Sequence, residues 1–155
     1  ELARQDAAWR RSLSRELFFH PDGTLDEPDP RAALRGALEF RLTRLMRIHA
    51  DPAGIEGRWM GVQGEAVLRR GGRGRYVVSV ATADVNNLAW TCEYDGEGRS
   101  EMAEWLRTDD GMLDLRWLGP MLHITMTPRG DGAPVPFCGA AGSVAGLYFR
   151  IGDAE

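Results

Sequence analysis

The chain contains no lysine. All 19 of its basic residues are arginine, which reflects a GC-rich genome more simply than it reflects a function. It lacks any run of 18 apolar residues, so no stretch reads as a membrane-spanning helix. Histidine is scarce at three, and cysteine scarcer at two. No GxSxG, HExxH, Walker sequence or post-strand Gly-x-Gly-x-x-Gly occurs, so no nucleophile elbow, zincin helix or phosphate cradle is offered. "GGRGR" at 71–75 has no helix behind it and reads as a hairpin tip. No catalytic, cofactor or metal residue is nominated, and a non-enzymatic role is expected.

What is present suffices for one domain with an accessory element: 155 residues, 43% hydrophobic, net charge −4. Residues 1–50 hold nine arginines against eight acids, whereas 51–155 hold ten against fifteen, a net −5. That balance disfavours nucleic acid and suits a basic protein partner.

Two periods divide the chain. Leu2, Trp9, Leu13 and Leu17, then Leu34, Leu38, Leu42 and Leu45, recur at helical spacing. Asp29 and Pro30 make a start signal for the second helix, a cap followed by a residue whose missing N–H costs nothing there. The breaker-rich 20–30 separates the two. The expectation is an antiparallel helical pair over 1–50, too small to hide its own stripes and therefore leaning on the downstream half of the chain.

After Gly54 the period becomes two. Alternating stretches at 57–62, 65–70, 75–83, 88–94, 100–107, 112–118, 121–127 and 147–151 are joined by glycine-rich turns, "DGEG" (95–98) among them. Such connections make antiparallel neighbours, and closure removes exposed edges. The fold class predicted is α+β, with the helical pair packed on a mainly antiparallel eight-stranded meander barrel over 55–152. Trp59, Trp90 and Trp117 are expected inside it. Eight strands can hold one small ligand or be filled by side chains, so a lipocalin-like carrier of an apolar ligand stands as the alternative function.

Cys92 and Cys138 lie 46 positions apart with no histidine within 14 residues of either. A metal site wants more ligands at shorter spacing, and nothing local would activate a nucleophile. A disulfide is the leading reading, with two inert buried thiols as the alternative. A bridge would imply an oxidising compartment. On that ground a periplasmic or otherwise exported location is expected. The chain opens at Glu1 with no leader sequence, which fits a processed or truncated chain and does not argue for cytoplasmic residence.

"RQDAAWRRS" (4–12) followed by "ALRGALEFRLTRLMR" (33–47) resembles the lysozyme-inhibitor LprI-like N-terminal domain, a helical module of bacterial envelope proteins. Gln5 and Trp9 match its first helix, and Arg41 and Leu45 a later Arg-x-x-x-Leu signature. Residues 1–50 hold no cysteine where that module usually carries a pair. The β half more loosely resembles small disulfide-containing periplasmic barrels, among them the membrane-bound C-type lysozyme inhibitors, which plug the enzyme cleft with a Ser/Gly-containing loop. Both resemblances imply an envelope protein that binds another protein, a C-type lysozyme or another basic one. The long 128–145 loop is the expected contact. Arg129, Asp131, Ser143 and Tyr148 are its candidate partner-binding residues.

Overall fold

The computed structural model describes residues 7, 30–46, 48, 54–84, 89–102, 104–127 and 135–154. The helix expected over 1–17 therefore lies outside the described residues, apart from Ala7, which is helical.

Helix α1 spans Pro30–Leu45 and begins at the proline, as the start signal requires. Arg41, one of the residues carrying the LprI-like resemblance, is buried, and Leu45 is half-buried. Leu34, Leu38 and Leu42 of the same expected stripe remain exposed.

The helical part is followed by eight strands: β1 Gly57–Met60, β2 Gly64–Arg70, β3 Arg75–Ala83, β4 Thr91–Met102, β5 Trp105–Thr108, β6 Leu113–Leu118, β7 Met121–Met126 and β8 Gly146–Gly152. Each pairs antiparallel with the next, and β8 returns to β1, closing the barrel. The α+β class and the closed eight-stranded antiparallel barrel are those expected. Closure leaves no long unpaired edge.

Alternation decides what fills the barrel. Every strand contributes inward side chains: Trp59 from β1, Leu68 from β2, Val78 and Val80 from β3, Tyr94 from β4, Leu106 from β5, Leu113 and Leu115 from β6, Leu122 and Ile124 from β7, and Tyr148 from β8, all buried. Trp59 is fully enclosed, and its indole N–H donates to the Ile55 carbonyl at 2.9 Å. Trp90 and Trp117 are only half-buried. Trp90 precedes β4, and Trp117 lies near the end of β6 with its indole N–H on the Gly119 carbonyl. Near a strand end the neighbouring strands no longer surround a large ring on all sides.

The largest departure from the expected strand map is at "DGEG". It is not a turn. β4 runs straight through it, with Ser79↔Asp95, Val78↔Gly96 and Val77↔Glu97 in register. The glycines are there for room: a β-carbon on Gly98 would fall 2.7 Å from the Arg107 carbonyl oxygen, and one on Gly96 2.4 Å from the Tyr94 hydroxyl. The chain instead breaks after Met102, past a register shift between Ser100 and Met102. The stretch read as one strand over 100–107 is thus the end of β4 and the start of β5. "GGRG" behaves as expected: a 3₁₀ turn at Gly72–Gly74 forms the β2–β3 tip, with Arg73 at φ 59°.

Among the described residues no helix is long and apolar enough to cross a membrane.

Candidate functional site

Four strand ends meet at one end of the barrel: the end of β3, the start of β4, the end of β7 and the start of β8. Residues 135–145 lie across it as a strap. Cys92 and Cys138 are disulfide-bonded, S–S 2.04 Å, and also form an isolated antiparallel bridge. The Glu93 N–H donates to the Phe137 carbonyl (2.9 Å) and the Gly139 N–H to that of Thr91 (2.8 Å). The strap thus extends the sheet for one bridge and is covalently held there. Phe137 packs edge-on against Tyr94, ring centroids 5.0 Å apart. A β-carbon on Gly142 would fall 2.8 Å from Cys92 Sγ and 3.1 Å from the Trp90 ring, so glycine is what lets the strap lie flat on the disulfide.

Farther along, Val144 is fully buried and plugs this end. Ser143 is half-buried and spent on the strap itself. Its Oγ donates to Met126 Sδ (3.3 Å) and accepts from the Ala145 N–H (3.0 Å), while its carbonyl accepts from Thr82 Oγ1 (3.1 Å). Tyr148 is a core residue, 3% exposed, with its hydroxyl donating to the Val144 carbonyl at 2.7 Å. The resemblance to the lysozyme-inhibitor barrels made it a contact candidate. The alternation of β8 turns it inward instead, so it acts by holding the strap. Arg129 and Asp131 lie outside the described residues.

Beside the strap runs the outward face of β4. Glu93 and Asp95 are exposed and take part in no ion pair among the described residues. Their neighbours on β3 are Ala81 and Ser79, small and uncharged. Glu97, next in the row, is neutralised by Arg75 at 2.6 Å, and Arg75 also reaches Asp109. Reading "DGEG" as a turn hid this acidic row. The signal was available, because period-two alternation continues from Cys92 through Gly98.

The adjacent acids Asp109 and Asp110 lie in the turn between β5 and β6. Asp110 accepts from Thr108 Oγ1 (2.7 Å), the Met112 N–H (3.0 Å) and the Tyr94 hydroxyl (3.1 Å). Burial acts to raise its pKa, but these donors outweigh it and hold the carboxyl below the usual range. Burial first, then the Asp110 charge, pushes the Tyr94 phenol up to about 12, against a hydrogen bond with Thr108 that lowers it. The cluster is a clasp of β4 onto the β5–β6 turn.

The clasp makes stability depend on pH. Tyr94 holds its proton more tightly folded than unfolded, where tyrosine titrates near 10. Its contribution is therefore complete below pH 10 and lost as the pH rises towards about 12. Urea midpoints measured across that range should fall, and Tyr94→Phe should flatten part of the fall. A remainder is expected because burial also raises Tyr148. An unchanged slope in Tyr94→Phe would count against the clasp.

His123 stands on the outer wall in the row Trp105, Arg116, His123, Leu147. Arg116 stacks over Trp105, 5.5 Å from its ring centroid. His20 and His49 lie outside the described residues. Among the described residues no group of three or more His, Cys, Asp or Glu is placed to hold a metal ion.

No family model, curated protein or solved structure matches the chain.

Proposed function

We propose that this is a bacterial cell-envelope protein that binds another protein, with a basic C-type lysozyme as the specific partner to test. The observation that carries the reading is a disulfide-anchored strap with two exposed carboxylates beside it, Glu93 and Asp95, which form no ion pair among the described residues. An anchored segment loses little entropy on binding, and unpaired surface acids steer a basic partner into encounter. The exported location belongs to the proposal. It rests on the Cys92–Cys138 disulfide, since structural disulfides persist in oxidising compartments. The resemblance of residues 1–50 to the LprI-like module points the same way. The carrier reading draws no comparable support, because side chains from all eight strands occupy the barrel interior.

The test is association with a C-type lysozyme at low and moderate salt, with inhibition of cell-wall lysis followed in parallel. Association should slow as salt rises. Glu93→Arg/Asp95→Arg should slow it about tenfold at low salt, the low end of steering effects. Shortening 129–135 should speed dissociation. No binding at micromolar concentration would remove lysozyme as the partner. Binding indifferent to both changes would remove this surface.

A further inference from the structure

Leu34, Leu38 and Leu42 of α1 are 38%, 49% and 58% exposed, and Met46 continues the same four-residue spacing beyond the helix. Side chains four apart form one ridge on a helix, and such ridges interdigitate with the same ridge of another helix at about −50°. This apolar ridge therefore has the form of a helix-packing surface. Its charged flank says what would cover it. Leu34, Arg35, Leu38, Glu39 and Leu42 line one open groove, so the groove carries one charge of each sign, a turn apart.

We infer that two copies of the chain pair through this face of α1, crossing antiparallel about a two-fold axis at Leu38. That axis sets Leu34 of one copy against Leu42 of the other and repeats the contact on the far side. It also brings Arg35 within reach of Glu39 of the second copy, twice. An anionic lipid surface would have to receive the Glu39 carboxylate among the leucines. A partner of uniform charge would meet one group of its own sign. A surface with the same plus-and-minus pattern meets neither penalty, and a second copy has it by symmetry. One helix pair buries less than the roughly 1,200 Å² of a standard stable interface, so the dimer is weak and concentration-dependent.

Sedimentation of the full chain from roughly 1 to 500 µM, spanning the range in which a small interface titrates, should show monomer converting to dimer. Leu38→Glu places two carboxylates at the axis and should leave monomer throughout. Leu38 is exposed, so near-ultraviolet circular dichroism should report an intact barrel in that variant. Arg35→Glu sets glutamate opposite Glu39 and should weaken the dimer about tenfold, a loss of the size seen for charge-assisted pairs; Arg35→Glu/Glu39→Arg should restore it. A wild type that stays monomeric, a dimer indifferent to Leu38→Glu, or a double variant that fails to recover would each overturn the inference. So would wild-type binding to phosphatidylglycerol vesicles that Leu38→Glu abolishes, because the ridge would then belong to a membrane surface.

Discussion

Trp59→Ala is expected to lower unfolding stability by about 3–5 kcal/mol, the range of large aromatic truncations in cores. Three features of the site place it there. The side chain is fully buried, so its whole apolar surface returns to water and a cavity remains. It comes from β1, whose pairing with β8 closes the barrel, so the cavity opens beside the closing seam. Truncation also removes the donor to the Ile55 carbonyl on a 5% exposed residue, which leaves a buried acceptor to find water. Trp90→Ala and Trp117→Ala should each cost less, because both rings are half in solvent. Urea titrations of the three variants compare them directly. A Trp59 loss under 1 kcal/mol, or one smaller than that of Trp90, would contradict the packing described.

Removing the disulfide with Cys92→Ala/Cys138→Ala should cost about 4 kcal/mol. Freeing a loop closed over 46 residues restores that much chain entropy to the unfolded state in the simple polymer model. The loss should be concentrated at one end. Phe137, Gly139 and Gly142 lie on or beside the bridge, and Val144 plugs the barrel a few residues on. Hydrogen exchange should therefore rise first at the Glu93 and Gly139 amides, before the amides of β2 and β3. The unreduced wild type, denatured, should titrate no free thiol. Two free thiols, or a uniform rise in exchange across the barrel, would remove the strap from the account. Reduction should also weaken any partner contact made there, which ties the disulfide to the proposed function.

Trp59 and the disulfide were legible to different degrees. Strand identity was legible over most of 55–152, because a half-buried strand exposes every second side chain and the alternation is written in the residues. The order of pairing was legible as well, since short glycine-rich connections allow only antiparallel neighbours. The disulfide was reached from the lack of other partners for Cys92 and Cys138, and the structure bears it out.

"DGEG" misled because a glycine's reason for being present is not in its own letter. Gly96 and Gly98 could equally serve a turn or make room for a neighbour. Only the approach of Tyr94 and of the Leu106–Arg107 segment decides for room. From that error came the hidden acidic row: Glu93 lies in the strand expected over 88–94, but a turn has no outward face on which to continue that row through Asp95 and Glu97. Tyr148 was misplaced for another reason. Its place among the contact candidates came with the resemblance of the segment 138–149, although it lies in the strand expected over 147–151. β8 begins at Gly146 and turns Tyr148 inward, where no resemblance of loop composition could place it.

By itself, then, the sequence determined the class of elements, the antiparallel meander and the cysteine pairing, because these depend on local periodicity and on counting possible partners. Tertiary structure alone decided which tryptophan is enclosed, which acids stand exposed beside the strap, and that Leu34, Leu38 and Leu42 of α1 are exposed. Those facts depend on the other strands and on where the helix lies. No local pattern encodes what a distant segment covers.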